Sequence, residues 1–382
     1  MRRSLVEDFR TMRYEHQRKN KNPDIQSLGS RISVIGPLPP PVHGQSAVTY
    51  RVVSRLKRRS SSVRIANTSQ GTSWGLTKII VKLGRALAAM WALRMSDDVV
   101  YIAVNAGQGM WLTVVHATLA RAGGARVVLH HHSYSYVRAR KFRMVALARA
   151  AGPRACHIVL SRTMARDLRL VTPEAVETLV VGNAALVDQE LLELPLKSPG
   201  PVVLGHMSNL CIEKGLSEVV DLAISLKRSG HICRLIVGGP VVDDKSRQHL
   251  TRAAAELESF FEYRGELHGE AKSMFFSEVT HFVFPSRYVH EAAPLVLYEA
   301  LAAGVVCVAT PQGSIAEQLA SSPSFVASQV ESFGDEALTF MKTAEVGRRT
   351  SYDSRKAYLD ALQVAEGQLE DLVQLMVAHG EQ

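Results

Sequence analysis

The chain has 382 residues, of which 46% are hydrophobic and 21% are charged, a composition typical of a globular protein rather than a disordered one. One hydrophobic core rarely serves more than about 250–300 residues, so the length predicts two domains. The four cysteines have neither disulfide-framework nor zinc-ligand spacing, and no signal peptide or membrane-spanning run is recognisable. We therefore expect a reduced, cytoplasmic protein.

The charge is divided unequally along the chain. Residues 1–200 hold 30 basic and 12 acidic residues, a net of +18, whereas residues 201–382 hold 15 and 24, a net of −9. This polarity predicts that the first half meets an anionic partner, either nucleic acid, an acidic lipid surface or phosphate. The alternative is solvated surface charge.

The first half has the pattern of a parallel α/β sheet. Residues 1–28 are polar and basic and are interpreted as an N-terminal arm. Short apolar runs then predict strands at 31–36, 97–104, 125–130, 155–160 and 178–182. Helical stretches intervene at 46–59, 109–122 and 138–151. Buried strands that alternate with helices predict βα units, so residues 29–187 form one domain.

A second α/β series follows a proline-rich linker at 188–200. Strands are predicted at 201–208, 233–239, 261–265, 281–286 and 305–310, within a second domain at 201–350. Residues 351–382 form a C-terminal helical segment, whose helix at 352–379 would close the second domain. Two such sheets predict two lobes with ligands in the cleft between them, where the strands' carboxyl ends meet loops.

The segment FPSRYVHEAAPLVLYEALAAG (284–304) carries the strongest chemical signal. Glu291 just before a helix and Glu299 two turns inside it could reach two ends of one extended ligand. The N–H groups of Ala293 and Leu295 open that helix, where its dipole favours phosphate. The alternative is an ordinary helix-terminal carboxylate and a surface glutamate.

Two further loops could face the same ligand. In VVLGHMSNLCIEKGL (202–216), Lys214 precedes a helix, where its charge suits a diphosphate. In VIGPLPPPVHGQSAVTY (34–50), Gly44 would allow close backbone approach, and Ser46 is predicted to cap the helix. A solvated lysine and a purely structural loop are the respective alternatives.

Three histidines end a predicted strand in VVLHHHSYSY (127–136). Strand alternation places His130 and His132 on one face and His131 on the other. No further ligand appears at metal spacing, so a hydrogen-bonding or acid/base histidine is favoured over a metal site. A buried or surface imidazole without a catalytic role is the alternative.

Taken in order, these segments resemble the family-4 retaining glycosyltransferases of the GT-B fold, of the type that builds bacterial surface polysaccharide or lipopolysaccharide. The resemblance is strongest over about 200–320, in GHMSNLCIEKG, PSRYVHEAAPLVLYEALAAG and VATPQGSIAE. It implies an α/β protein with two Rossmann-like parallel-sheet domains that face a central cleft.

The resemblance also implies roles for individual residues. Lys214 would bind the donor diphosphate, Glu299 the donor ribose and Glu291 the sugar hydroxyls. Catalysis would fall to His132, Glu291 and Lys214. Donor contacts are implied for Gly44, Asn209, Lys214, Glu291, Ala293, Leu295 and Glu299. The acceptor-side candidates are His130 and His43.

Two departures from the family pattern stand out. The family's phosphate-binding arginine near Gly205 is absent, with Asn209 in its region, and Ala292 replaces a glycine after the first glutamate. The implied enzyme needs no metal or other cofactor. It would move sugar with retention from a UDP- or GDP-sugar to a glycan or lipid-linked acceptor.

The basic first half gains a candidate partner from residues 73–95. Trp74, Lys78, Lys82 and Arg85 fall on one helical side and apolar residues on another, which suits an anionic membrane surface. The alternative is a helix packed on its own sheet. We expect a peripheral enzyme on the inner face of the cell membrane. No nucleic-acid partner is expected, since no binding signature accompanies the charge.

Other functions share this pattern. A non-catalytic glycosyltransferase-like module that binds a membrane or a partner would bind no nucleotide. An epimerase would release a changed sugar without an acceptor, and a phosphorylase would need free phosphate.

Overall fold

The computed structural model describes residues 30–40, 44–60, 62–69, 98–138, 142–172, 176–231 and 233–378. They form two α/β lobes, each built on a parallel sheet of six strands. We call the described residues up to 187 the first lobe and residues 188–347 the second lobe. The predicted fold class is confirmed.

The first lobe has the strand order β2-β1-β3-β4-β5-β6. Its strands are β1 (Ile32–Gly36), β2 (Val63–Asn67), β3 (Val99–Ala103), β4 (Arg126–His130), β5 (Cys156–Val159) and β6 (Glu177–Val180). Its helices are α1 (Gly44–Arg59), α2 (Met110–Ala122), α3 (Phe142–Ala151) and α4 (Arg162–Val171). A short 3₁₀ turn, Asn183–Leu186, leads out of the last strand.

The second lobe has the strand order β12-β11-β10-β7-β8-β9. Its strands are β7 (Val202–Met207), β8 (Cys233–Gly238), β9 (Phe261–Tyr263), β10 (His281–Phe284), β11 (Val306–Ala309) and β12 (Phe325–Val326). Its helices are α5 (Leu216–Arg228), α6 (Asp244–Leu257), α7 (Gly269–Glu278), α8 (Leu295–Ala302), α9 (Ile315–Leu319) and α10 (Phe333–Thr343).

Several interior strands are buried along their whole length, which explains why they were recognisable as continuous apolar runs. Every residue of β1, β3 and β10 is buried, as expected for a parallel sheet covered by helices on both faces. The strands that the sequence did not predict are β2 and β12, both at sheet edges and only partly buried. Their residues lack the apolar run that marks an interior strand.

The last helix, α11 (Arg348–Val377), belongs to both lobes. Tyr358 and Ala365 pack in the second-lobe core, whereas its later residues pack against β1 and α1 of the first lobe. Those later residues are Leu369, Leu372, Val373 and Met376. The prediction that this helix closes the second domain is therefore incomplete, because its C-terminal half completes the first lobe.

Ion pairs strengthen the seam between α11 and the first lobe. Glu366 accepts from both Arg51 and Arg55 of α1, and Gln368 accepts from the backbone N–H of Gly182 at 2.9 Å.

Within the described part of the chain, no helix is long and apolar enough to span a membrane.

Candidate active site

The two sheets direct loops from their carboxyl ends into one cleft, and these loops touch. Ser133, after β4, bonds through its Oγ to Nδ1 of His290, after β10, at 2.9 Å. The backbone N–H of Tyr134 donates to the carbonyl of His290 at 3.3 Å. Arg138 reaches Gln312 of the second lobe at 2.6 Å. The histidine loop of the first lobe and the Glu291 loop of the second are thus in direct contact.

Lys214 and Glu291 form a short ion pair at the floor of this cleft. The Lys214 ammonium lies 2.6 Å from the Glu291 carboxylate, and their side chains are 18% and 8% exposed. The Ser286 hydroxyl donates to the same carboxylate oxygen at 3.0 Å. The cost of burying Glu291 is offset by a cation and a hydroxyl, as expected for a nearly buried charge.

Two glycines allow these loops to approach each other. Gly215 ends the 3₁₀ turn Ile212–Lys214 with a φ of 83°, and a Cβ there would lie 2.3 Å from the Pro285 carbonyl oxygen. Gly313 has a φ of 61°, and a Cβ there would lie 2.3 Å from the Glu291 carbonyl oxygen. Only glycine combines this backbone conformation with this contact.

Tyr288 is a site residue that the sequence did not single out. Its ring lies 4.7 Å from the Lys214 ammonium, within the range of a cation–π contact. Burial, together with the Glu291 charge, raises the pKa of the Tyr288 hydroxyl. No spacing rule marks a tyrosine for this place, since Lys214 reaches it from a distant loop.

Glu299 lies on α8 and is held by a second lysine that the sequence did not assign a role. The Lys272 ammonium lies 2.8 Å from both the Glu299 and the Asp188 carboxylates. Burial alone would lower the pKa of Lys272, but the two carboxylates outweigh it and raise the pKa above its ordinary value. The only sequence signal was that a half-buried glutamate needs a partner.

The start of α8 offers backbone donors between the two glutamates. Among the described residues, the N–H groups of Leu295 and Val296 have no protein acceptor. The preceding loop is fixed, because the Asn183 amide donates to the Ala293 carbonyl at 3.0 Å and the Gln318 amide to the Pro294 carbonyl at 2.9 Å. Free N–H groups at a helix start favour an anion.

The three histidines divide as the strand alternation predicted. The rings of His130 and His132 lie 4.2 Å apart, whereas His131 bonds to His157 of the next strand at 2.9 Å. His132 is partly exposed, whereas His130 is fully buried and bonds to the Tyr101 hydroxyl at 2.7 Å. A fully buried imidazole does not contact an acceptor, so this structure does not support His130 as an acceptor-side residue.

Burial sets the protonation of the supporting histidines. It lowers the pKa of His130 and His131 well below the ordinary value, and neighbouring histidines add to the effect. Both rings are therefore neutral near pH 7. Within the described residues, no three metal-ligating side chains come together, and a reaction without metal stays a prediction.

Three of the remaining sequence-predicted residues lie in the described part of the chain and five lie outside it. Gly44 begins the described part of α1, and a Cβ there would meet no protein atom within 4 Å. Ser46 lies inside α1 and is fully buried, so its predicted capping position is wrong. Asn209 is exposed after β7. Outside the described residues lie His43, Trp74, Lys78, Lys82 and Arg85.

The part of the chain that holds the ion pairs matches a known family. Residues 189–357 match the family model described as Glycosyl transferases group 1. This match covers less than half of the chain. It contains Lys214, Glu291 and Glu299. No curated protein matches the chain significantly in sequence.

Solved structures resemble the whole chain. Anabaena Alr3699/HepE in complex with UDP and glucose is 15% identical, with a TM-score of 0.63 over 91% of this chain and 99% of that one. Sucrose-phosphate synthase from Thermosynechococcus elongatus is 15% identical, with a TM-score of 0.65 over 90% and 97%. An E. coli structure described as trehalose-6-phosphate bound with UDP-2-fluoro glucose is 12% identical, with a TM-score of 0.63 over 91% and 100%. This likeness identifies the fold as GT-B.

Proposed function

We propose that this protein is a glycosyltransferase that moves a sugar from a UDP-sugar to an acceptor held by the first lobe. The observation that carries the proposal is the Lys214–Glu291 pair, which lies beside the open N–H groups of α8 and next to the loop that bears His132. The group 1 match of residues 189–357 supports it. So do similar structures that contain UDP or UDP-sugars.

Lys214 would exchange partners when the donor binds. Its ammonium, now 2.6 Å from Glu291, would turn to the diphosphate and leave that carboxylate to accept from the sugar hydroxyls. The N–H groups of Leu295 and Val296 would add donors to the phosphate oxygens. As the bond between the sugar and the diphosphate breaks, negative charge grows on the leaving oxygen, and these fixed donors stabilise it.

Glu299 would bind the ribose hydroxyls at the other end of the donor. Lys272 orients that carboxylate, since it bonds to Glu299 and Asp188 at once. Glu291, in the loop before α8, and Glu299, within α8, would then contact the two ends of the nucleotide-sugar, with the diphosphate between them.

On the first lobe, His132 would lie against the sugar and the incoming acceptor hydroxyl. The contacts of Ser133 with His290 and of Arg138 with Gln312 would hold the lobes together over the donor. Closure of this kind excludes water and limits hydrolysis of the donor. The acceptor oxygen would form the new bond to the sugar as the bond to the diphosphate breaks, and its proton would pass to the leaving diphosphate oxygen. We further propose retention, no metal, and a glycan or lipid-linked acceptor in surface polysaccharide synthesis.

Titration calorimetry against UDP, GDP, ADP and CMP tests this function. We expect selective binding of UDP, weakened at least about tenfold in Lys214→Ala because one charged phosphate contact is lost. Lys227→Ala is the matched control, since this lysine lies on the surface of the same lobe and bonds to the Glu256 carbonyl. Absence of binding to all four nucleotides would contradict the proposal and favour a non-catalytic module.

A further inference from the structure

We propose that the exposed face formed by α2 and α3 docks on an anionic lipid bilayer and brings the cleft to a membrane-borne acceptor. This face, the docking face, comprises Trp111, Val115, Phe142 and Arg149. It rests on the proposed function for the nature of the acceptor, but the surface itself is defined by the structure.

Large apolar side chains of the docking face lie in solvent. Trp111 is 41% exposed, Val115 45% and Phe142 74%, and the two aromatic rings lie 5.8 Å apart across the α2–α3 contact. Thr118 and Ala122 continue the exposed row of α2, so this row holds no charged residue. Grouped exposed apolar side chains mark an interaction site more often than scattered ones do.

The docking face lies at the same edge of the sheet as the candidate active site. Trp111 and Phe142 stand in the first turns of α2 and α3, the helices that follow β3 and β4. In a parallel α/β sheet, helices begin on the side where the preceding strands end. His132 follows β4 at that same edge, so a surface bound there would lie beside the acceptor side of the cleft.

The charge around these aromatics points to an anionic partner. Between Asp98 and Asp167 the sequence has no acidic residue, whereas it has ten basic ones. Neither α2 nor α3 contains a carboxylate, and Phe142 interrupts the basic run RARKFR (138–143). Exposed aromatic residues in a segment of sequence that is rich in basic residues and free of carboxylates are typical of an interfacial membrane site.

The same features argue against the other anionic partner, nucleic acid. The exposed row of α2 offers apolar surface without donors for phosphates along its length. A bilayer suits both the aromatic and the cationic residues of the docking face, because the acyl chains contact the aromatic rings and the headgroups pair with the cations.

Co-sedimentation of the full chain with vesicles tests the proposal. We expect binding to vesicles of phosphatidylcholine with 30% phosphatidylglycerol (about the anionic fraction of a charged leaflet), and weak binding to phosphatidylcholine alone. The double variant Trp111→Ala/Phe142→Ala should lose roughly tenfold or more in partitioning. Leu170→Ala, which removes a side chain that is 76% exposed at the far end of α4, should stay within about twofold of the parent.

Fluorescence distinguishes insertion of the docking face from that of another segment. The chain has three tryptophans, so Trp74→Phe/Trp91→Phe leaves Trp111 as the single emitter. Brominated lipids should quench its emission. An unquenched Trp111, or equal vesicle binding by the double variant and the parent, would overturn the proposal.

Two further readouts complete the design. UDP binding in solution should be equal in the parent and the double variant. If the parent does not bind UDP, that result would refute the proposed function, whereas vesicle binding alone decides the proposal for the docking face. Light scattering tests a second copy of the chain as the occupant. A dimer that Trp111→Ala/Phe142→Ala dissociates would overturn the membrane assignment.

Discussion

Both lobes are built on a parallel sheet of six strands, but they differ in how specifically their sequences indicate a function. The second lobe gathers its site from short motifs fixed by glycines, and residues 189–357 match a family model. The first lobe carries a histidine loop, exposed aromatics and an excess of positive charge. Under the proposals above, the second lobe binds the donor and the first lobe brings the protein to its acceptor.

The largest effect is expected from removal of the Lys214 ammonium, the cation of the candidate site in the second lobe. Lys214→Ala should reduce sugar transfer by roughly 10²-fold, because the leaving diphosphate loses a preorganised charge and Glu291 loses its partner. Vesicle binding should not change. Turnover with a UDP-sugar that the parent accepts measures the effect. Near-parental turnover in this variant and in Glu299→Ala would refute the site.

Gly215 tests whether close loop contact builds the donor side. Gly215→Ala should destabilise the protein by about 2–3 kcal/mol, from a positive φ and a Cβ against the Pro285 carbonyl. Gly230→Ala is the matched control, with a φ of 82° but no atom within 4 Å, so it should cost about 1 kcal/mol. Urea unfolding compares the two. Equal losses would show that the contact does not matter.

Buried histidines make the first lobe sensitive to acid. Burial lowers the pKa of His116 to about 4, and both of its ring nitrogens lack a partner among the described residues. The unfolded chain takes up this proton near pH 6.5, so stability present above that pH is lost as pH falls toward 4. His116→Leu should gain about 1 kcal/mol at pH 7 and flatten the pH dependence.

Urea titrations at pH 7, 6 and 5 measure this effect. His268→Leu serves as control, since its side chain is 81% exposed and its loss should leave the curve unchanged. A His116→Leu protein that follows the parental pH dependence would show that this imidazole does not titrate as its burial requires.

Glu317 lies at the contact between the two lobes, and its substitution tests how this contact holds them together. Its carboxylate, in the second lobe, accepts from the backbone N–H groups of Arg162 and Thr163 at the start of α4, at 2.9 and 2.7 Å. Glu317→Gln should weaken lobe closure by about 1 kcal/mol. Glu336→Gln removes a similar bond to the Ser328 N–H within one lobe. Small-angle scattering should show a larger radius only for Glu317→Gln, and equal radii would contradict the prediction.

The sequence predicted what local pattern encodes. Buried strands such as β1 and β10 are continuous apolar runs, and Glu291 and Glu299 lie in one short stretch of chain, just before α8 and within it. Partners supplied from distant positions were not predictable. Lys272 meets Glu299 from another helix, and Tyr288 meets Lys214 from another loop. Edge strand β2 was not predicted because its residues are only partly buried and form no apolar run. Ser46 was wrongly predicted as a helix cap because α1 begins before it.

Helix α11 has a consequence for how the protein is made and re-engineered. The residues that complete the core of the first lobe, from Leu369 to Met376, follow the whole second lobe in the chain. The first lobe therefore cannot complete its core during synthesis until the second lobe has emerged. A chimera that exchanges acceptor lobes must likewise take two pieces of chain, the N-terminal lobe and the final two to three turns of this helix.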